Sequence, residues 1–258
     1  MRVSLCYSVQ SQAGLRPNNE DAAFTSPRIL ALADGMGGHA AGEVAASLVI
    51  AELAALDQVE ISDPLVDLRE AALRGNAAIA NHVAAHPEHQ GMGTTLTAML
   101  FTGDNLGLVH VGDSRAYLMR DGSLTQITRD DTFIQHLIDE GRLTYEEARS
   151  HPQRSMVLKV LTGREVEPSV KTLQAKPRDR YLICSDGLSD YAPLDAISDV
   201  LSLPDPQGCP QALIRLALQR GSQDNITCIV ADVVGGESGY NIALLTGAAG
   251  RKATLVRA

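Results

Sequence analysis

The sequence predicts an α+β fold of antiparallel β-sheets packed against helices, and three observations lead to it. Strand-like apolar runs come in blocks joined by short turns, such as Asp121-Gly122 between two of them, which favours antiparallel pairing. Helical segments are fewer and longer, and they come in pairs, which is not the order of regular βαβ units. Because such helices must cover a sheet face, two packed sheets flanked by helices are one economical arrangement.

The predicted strands are short runs rich in apolar residues with turn residues between them. They span 3–9, 29–33, 94–101, 106–111, 116–120, 124–127, 181–184 and 225–233. Apolar residues at helical spacing predict helices at 40–56 and 65–85, and a third helix at 210–219 begins with a proline and is followed by Gly221. The faces predicted to be buried are Val44, Leu48, Ala51 and Ala55 in the first helix, and Leu68, Ala72, Ile79 and Val83 in the second.

The 258 residues fit one catalytic domain at 1–234, followed by a linker and disordered tail at 235–258 that starts with a Gly-Gly-Glu-Ser-Gly run. A charged stretch at about 131–168, with short helical pieces at 132–140 and 145–150, interrupts the strands. We interpret it as a flap inserted over a site. An ordinary surface helix pair is the alternative.

Composition excludes several classes of function. The net charge of −9 argues against nucleic acid or an anionic membrane as the main partner. Aromatic residues make up only 3% of the chain, which argues against binding by the stacking of aromatic side chains on nucleobases. The four cysteines form no Cys-x-x-Cys pair, so we expect buried, reduced thiols and no zinc site. With no signal peptide and no run of about 20 apolar residues, we expect a cytoplasmic protein without a membrane span.

Acidic residues stand at the ends of predicted strands. Asp34, Asp113 and Asp186 follow such strands, Asp224 precedes the last one, and the pair Glu20-Asp21 precedes the apolar run Ala22 to Phe24. Strand ends are rigid, so carboxylates placed there can converge, and a dry cluster of carboxylates is costly unless cations fill it. Mg²⁺ and Mn²⁺ prefer such oxygen ligands. A single Asp-Gly is usually a turn, but the repeated pattern predicts a metal site.

Arg16 lies four residues before this acidic pair. A guanidinium can bind two phosphate oxygens at once, so Arg16 could hold a phosphate against the ions. A surface salt bridge from Arg16 to Glu20 or Asp21 is the alternative.

Together these motifs resemble the metal-dependent serine/threonine protein phosphatases of type 2C, and most of all the bacterial branch that opposes membrane-anchored serine/threonine kinases. The likeness covers roughly residues 3–234. The motifs that carry it are Arg16 with Asn19-Glu20-Asp21, Ala33-Asp34-Gly35-Met36-Gly37-Gly38-His39, Gly91-Met92-Gly93-Thr94-Thr95, Val111-Gly112-Asp113-Ser114-Arg115, Cys184-Ser185-Asp186-Gly187 and Asp224-Asn225. The resemblance implies a four-layer α-β-β-α sandwich of two antiparallel sheets between helix pairs.

The resemblance also implies roles. Two or three Mn²⁺ or Mg²⁺ ions would be held by Asp34, the Gly35 carbonyl, Asp113, Asp186, Asp224 and, through water, Glu20. Asp34 would bridge two ions, and Asp113 with Asp186 would hold a third, weaker one. Asp21 and Asn225 would orient these ligands. Arg16, Asp34 and Asp186 would be the catalytic residues, with Arg16 on the substrate phosphate and a metal-bridging water attacking phosphorus directly.

One departure concerns the proton donor. Many eukaryotic members carry histidine directly after the metal-binding Asp-Gly, where this chain has Met36. His39 and water on the third ion are two candidates for the general acid, and local packing at a helix start is the other interpretation of His39. In the flap, Thr132 and Ser155 could contact the substrate or be modified.

The implied function is hydrolysis of phosphoserine and phosphothreonine, which reverses phosphorylation by bacterial serine/threonine kinases. The expected partners are these kinases and their phosphorylated substrates, and we expect a monomer. The alternatives are a catalytically silent phosphoprotein-binding relative, another two-metal hydrolase such as a nuclease, and a phosphatase dedicated to one regulatory partner. A silent relative should have lost metal carboxylates, and a nuclease should show a basic stripe.

Overall fold

Two antiparallel β-sheets form the centre of the molecule. The computed structural model describes residues 3–37, 41–148, 151–235, 242–252 and 256–257. The strands are β1 (Val3–Gln12), β2 (Asp21–Thr25), β3 (Ile29–Met36), β4 (Gly93–Thr94), β5 (Leu96–Thr102), β6 (Asn105–Val111), β7 (Arg115–Arg120), β8 (Ser123–Gln126), β9 (Ser169–Gln174), β10 (Arg180–Cys184), β11 (Ile226–Gly235), β12 (Ile242–Gly247) and β13 (Val256–Arg257).

The first sheet has the strand order β1-β11-β10-β7-β8, and the second has the order β13-β12-β2-β3-β5-β6-β9, with β4 paired to β3. In the second sheet, the register of β2 and β3 places Asp21 opposite Asp34. The second sheet therefore brings together two of the acidic residues that the sequence analysis singles out.

Helices cover the outer faces of the two sheets. Those that do so are α1 (Ala41–Ala55) and α2 (Pro64–Ala85) on the second sheet and α6 (Leu194–Leu201) and α7 (Cys209–Gln219) on the first. The shorter helices are α3 (Phe133–Asp139), α4 (Tyr145–Ala148) and α5 (Asp186–Ser189), and 3₁₀ turns lie at Leu56–Gln58, Pro87–His89, Pro206–Gly208 and Ala248–Lys252. Asp63 caps α2, because its side chain accepts hydrogen bonds from the backbone N–H groups of Leu65 and Val66.

Three apolar layers hold the sandwich together. The layer between the sheets contains Leu5 and Tyr7 of β1 and Leu32 of β3. A second layer lies between α1, α2 and the second sheet, and a third lies between α6, α7 and the first sheet. In β1, buried and partly exposed residues alternate, whereas β2 is buried throughout because its sheet is covered on both faces. The predicted four-layer α-β-β-α fold is confirmed.

The buried face predicted for α1 is wrong. The helix buries Ala45, Ala46, Val49, Ile50 and Leu53, whereas Val44 and Leu48 lie at its flank and Ala51 and Ala55 are exposed. The small residues allow a close approach to neighbouring elements. At Gly75 of α2, for example, an added Cβ would lie 3.0 Å from the Cα of Val49. In the predicted face of α2, Leu68, Ala72 and Ile79 are fully buried, as predicted, whereas Val83 is only partly buried against the same layer.

The tail prediction also needs correction. Residues 242–247 form β12, which pairs with β2 through the register Leu244 to Thr25 and Gly247 to Ala22. Among the described residues, only Ile242 and Ala243 pair with β13 on the other side, and most residues of β12 stay partly exposed, so its short apolar run does not have the pattern of a buried central strand. The predicted disorder is therefore wrong for 242–252, and the rest of 236–258, apart from 256–257, lies outside the described residues. Outside the tail, the sequence analysis also fails to predict strand β9 and helix α6.

The segment predicted as a flap contains α3 and α4. It is tied to the core at its base, because Asp131 N–H donates to the carbonyl of Gly112 and Leu161 N–H donates to the carbonyl of Thr94. Thr132 caps α3 by accepting from the N–H of Gln135. Among the described helices, none is long and apolar enough to cross a membrane.

Candidate active site

The predicted carboxylates converge where strands of both sheets end. Asp21 begins β2 and Asp34 lies near the end of β3, while Asp113 follows β6. Asp186 is the first residue of α5, directly after β10, and Asp224 precedes β11. The negative charges of the other four all act on Asp34, so the structure brings the whole set together.

Asp34 is fixed by its neighbours on the second sheet. Its backbone N–H donates to Thr95 Oγ1 at 3.0 Å, and its carbonyl accepts from the N–H of Thr95 at 2.9 Å and from Thr94 Oγ1 at 2.9 Å. Thr95 Oγ1 in turn hydrogen-bonds Ser114 Oγ, beside Asp113, at 2.8 Å. These bonds keep the backbone of two acidic loops in a fixed relation.

Burial and mutual repulsion make the cluster costly when its carboxyls are ionised. Burial, and then the charges of neighbouring aspartates, raise the pKa values of Asp34 and Asp186 well above the ordinary range. Burial raises the pKa of Asp21 to about 6. Burial and the nearby Asp130 and Asp190 raise the pKa of Asp113 to about 7.

The two carboxylate oxygens of Asp21 differ in their contacts. Its Oδ2 accepts from Ser185 Oγ at 2.9 Å, whereas its buried Oδ1 has no hydrogen-bond partner among the described residues. A buried, unpaired carboxylate oxygen costs free energy unless a cation or a proton lies near it. Ser185 comes from the first sheet, so this bond also joins the two sheets at the site.

Gly35 allows neighbouring backbones to approach the site. A Cβ on Gly35 would lie 2.2 Å from the carbonyl oxygen of Gly42 and 2.7 Å from that of Glu20, so only glycine fits there.

Burial, and then the charge of Glu43, raise the pKa of the Glu20 carboxyl. Glu20 is positioned by its N–H, which donates to Asn225 Oδ1 at 2.7 Å.

Arg16 lies at the open edge of the cluster. Its Nη2 is 2.8 Å from Asp224 Oδ2, and its side chain is 59% exposed, so it can reach a ligand from solvent. The partner is Asp224, not Glu20 or Asp21 as the alternative prediction had it. An open cavity of about 390 Å³ begins here, and its walls include Leu15 and Tyr191.

Asn225 binds the Arg16 loop to the first sheet. Its Nδ2 donates to the carbonyls of Ala13 at 3.0 Å and Asn18 at 2.9 Å. Gly14 has a φ of +61°, and a Cβ there would lie 2.1 Å from the carbonyl oxygen of Asp224. The loop therefore has a defined position, which supports the prediction that Asn225 orients other groups.

The donor set fits a hard divalent cation. All the converging side chains offer carboxylate oxygens, one of these oxygens is buried and unpaired, and their charges repel one another. Within the part of the chain that the structure describes, no three His, Cys, Asp or Glu side chains already close into a coordination cage. That Glu20, Asp34, Gly35, Asp113, Asp186 and Asp224 hold the ions stays a prediction.

Other predicted residues have different outcomes. Gly38, His39 and Ala40 lie outside the described residues, so the structure does not place His39. Thr132 is buried as a helix cap, whereas Ser155 lies exposed in the predicted flap.

The sequence interpretation missed Asp190, whose N–H donates to the carbonyl of Asp186 and whose charge raises the pKa of Asp186. Its position four residues after Asp186 could have revealed it.

Comparison with known proteins agrees with this geometry. Residues 17–228 match the family described as protein phosphatase 2C. The chain is 56% identical over 246 residues to the serine/threonine protein phosphatase PstP of Mycobacterium tuberculosis, an alignment that covers 95% of this chain and 48% of PstP. The chain thus spans about half the length of these curated relatives.

Solved structures of PstP are similar throughout the fold. The crystal structure of the M. tuberculosis phosphatase has a TM-score of 0.88 at 56% identity, covering 90% of this chain and 100% of that chain. A structure of the PstP catalytic domain in complex with two manganese ions has a TM-score of 0.86 at 54% identity, with the same coverage.

Proposed function

Because the chain belongs to the protein phosphatase 2C family, we propose that it is a metal-dependent phosphatase that hydrolyses phosphoserine and phosphothreonine in proteins. The observation that carries the proposal is the convergence of five aspartates from both sheets beside an exposed arginine. This arrangement combines sites for cations with a ligand for the phosphate.

The cofactor is Mn²⁺ or Mg²⁺, and two ions are supported by the manganese complex of the related PstP domain. Asp34, the Gly35 carbonyl, Asp186 and Asp224 would hold these two, with Glu20 contributing through water, and a third would be held by Asp113 with Asp186. When bound, the ions neutralise the phosphate charge and make water acidic enough to supply a nucleophile near neutral pH.

The residues of the chain bind and orient the reactants. Arg16 binds phosphate oxygens through its guanidinium and holds the ester in line with the attacking water. It also stabilises the charge on the equatorial oxygens as the bond to phosphorus breaks. Because the loop and strand bonds of Asn225 and Thr95 fix the acidic groups in advance, little reorganisation is needed at the moment of reaction.

The leaving serine or threonine oxygen must receive a proton. The Met36 side chain has no proton to transfer, so we propose His39 or water for this role. Hydrolysis by direct attack requires no covalent phosphoenzyme. Of the cysteines, Cys184, Cys209 and Cys228 are buried, and burial raises their pKa values, which argues against a thiolate nucleophile.

We further propose that the substrates are phosphorylated proteins, including serine/threonine kinases and their targets, and that the protein acts as a cytoplasmic monomer. The named serine/threonine phosphatases among the relatives support this substrate class. The net charge of −9 favours neither nucleic acid nor an anionic membrane surface. All the acidic residues that a silent relative should have lost are present, which favours an enzyme.

The test is phosphate release from a phosphothreonine peptide, with Mn²⁺ or with EDTA. We expect release with Mn²⁺ only, and a loss of at least about a hundredfold in Asp186→Asn, because losing even a residue that merely orients a metal ligand costs 10–100-fold. Asp195→Asn, at an exposed position on α6, is the matched control and should retain full activity. Absence of release with any divalent ion, from protein shown to be folded, would favour the silent phosphoprotein-binding relative.

A further inference from the structure

The side chain of Leu15 is held in solvent by a well-fixed backbone. Leu15 is 75% exposed, yet its N–H donates to the carbonyl of Gln223 at 3.2 Å. The next residue, Arg16, donates its N–H to the carbonyl of Ala13 at 3.1 Å. Gly14 packs so closely on Asp224 that no larger residue fits. The exposure of Leu15 therefore does not result from a loosely attached loop.

Tyr191 is presented in a comparable way. It follows α5, which begins at Asp186, and its N–H donates to the carbonyl of Leu188 at 3.2 Å. The next residue, Ala192, is buried and donates its N–H to the same carbonyl. The backbone at Tyr191 is thus anchored to the buried residues Leu188 and Ala192, while 38% of its own surface remains exposed.

Both side chains line the cavity of about 390 Å³ that also contains Arg16, Gln223 and Asp224. A single exposed leucine on a protein surface needs no explanation. Here two large apolar groups line one cavity, and that cavity includes the arginine proposed to bind phosphate. Its volume lies within the range of small-molecule pockets, so it can hold a side chain of a bound peptide.

We propose that this cavity is a subsite for the substrate residue adjacent to the phosphorylated serine or threonine, and that it selects an apolar side chain there. This inference rests on the proposed function, because the position of the occupant is set by a phosphate on Arg16. An apolar side chain would cover the exposed carbon atoms of Leu15 and Tyr191. A glutamate in the same place would have to compete with the phosphate for the Arg16 guanidinium, and its carboxylate would lose part of its hydration against Leu15 and Tyr191.

The subsite is continuous with the catalytic site through the backbone. Leu15 is bonded to Arg16, and Gln223, whose carbonyl fixes Leu15, is bonded to Asp224. A peptide whose phosphate reaches Arg16 must place its neighbouring residues within a few ångströms of the phosphorylated one, since consecutive Cα atoms are about 3.8 Å apart. The occupant is therefore a flanking residue of the same substrate chain, not a separate ligand.

The experiment compares matched phosphothreonine peptides that carry leucine, alanine or glutamate next to the phosphorylated residue. Turnover of each peptide is divided by turnover of p-nitrophenyl phosphate, which has no flanking residue, in the same Mn²⁺ buffer. For the wild type, we expect kcat/KM about tenfold higher for the leucine peptide than for the alanine peptide, the scale of discrimination that a small apolar pocket provides. The glutamate peptide should be poorer still.

Leu15→Ala and Tyr191→Ala should each reduce this preference for leucine to about threefold or less, and Tyr191→Phe should retain it because the ring remains. Leu203→Ala is the control, at another exposed leucine, whose carbonyl accepts from Arg180 at the far end of β10 from Asp186. It should leave the preference unchanged.

The outcomes separate the two proposals. If the wild type hydrolyses p-nitrophenyl phosphate but shows equal kcat/KM for all three peptides, the subsite is refuted and the phosphatase stands. The subsite is likewise refuted if the preference survives in both alanine variants. If folded wild type hydrolyses none of these esters with Mn²⁺, the proposed function fails, and the subsite fails with it.

Discussion

When the clustered carboxylates are ionised, their burial and mutual repulsion lower the free energy of unfolding. In the metal-free protein, this effect should be measurable as a dependence of stability on pH. Asp113 has a pKa raised from 3.8 to about 7 in the folded state, so the folded protein holds this proton more tightly than the unfolded chain does. The stability that this proton contributes is therefore fully present below about pH 4, and it is lost as the pH rises through 7. Between pH 5 and pH 8, this one group should lower the free energy of unfolding by up to about 2.5 kcal/mol.

This value is an upper limit, because Asp113 is partly exposed and water screens its charge. Asp21, Asp34 and Asp186 should add to the slope, since burial raises their pKa values as well. A substitution at Asp113 alone is therefore expected to remove part of the pH dependence and leave the rest.

The assay is urea unfolding in EDTA at pH 5 and pH 8, for the wild type, Asp113→Asn and the control Glu60→Gln. Glu60 is an exposed carboxylate in the connection between α1 and α2. We expect Asp113→Asn to be more stable than the wild type at pH 8 by about 1–2.5 kcal/mol and to show a shallower slope. Saturating Mn²⁺ should stabilise the wild type most at the higher pH, because the ions compensate the repulsion. A metal-free wild type at least as stable at pH 8 as at pH 5 would refute this reasoning, as would an unchanged slope in Asp113→Asn.

Two further predictions concern activity. Arg16→Ala should lower kcat/KM for p-nitrophenyl phosphate about a hundredfold, and Arg16→Lys should lower it about tenfold, because lysine cannot bind two phosphate oxygens at once. Equal steady-state constants in Arg16→Lys and the wild type would contradict bidentate binding. Thr95→Val removes the hydroxyl that accepts a hydrogen bond from the N–H of Asp34 and that is hydrogen-bonded to Ser114. We expect kcat with Mn²⁺ to fall about tenfold, and the free energy of unfolding, measured in urea, to fall by about 1–3 kcal/mol. Thr95→Ser keeps the hydroxyl and should retain both values.

How much of the fold the sequence predicts depends on how each element is buried. Strands such as β3 and β10 are covered on both faces and read as continuous apolar runs, so they were found. Strand β9 lies at a sheet edge and is largely exposed, and its polar residues carry little strand pattern. In α1, periodicity revealed the helix, but the larger residues indicated the wrong face. The choice of Ala45 and Ala46 as the buried face depends on how closely α1 approaches the sheet and α2.

The acidic residues of the site were predictable because each stands beside a glycine or at a strand end, and such positions are recognisable in a linear sequence. Their hydrogen-bond partners were not, since Thr95 and Ser185 are ordinary strand-end residues until the fold places them beside Asp34 and Asp21. Asp224, as the partner of Arg16, is separated from it by 208 positions, so only the tertiary structure could distinguish it from the nearer Glu20.

The positions of Ser185 and Asn225 explain how the fold stays intact although the repulsion among the clustered aspartates destabilises it. Asp21 belongs to the second sheet and is bonded by Ser185 at the end of a first-sheet strand, and Glu20 is bonded by Asn225 beside another strand of that sheet. Any sliding of one sheet over the other would break these bonds and expose the apolar layer between the sheets. The repulsion among the aspartates therefore acts against an interface with a large buried area, and the charged groups stay close enough to bind cations together.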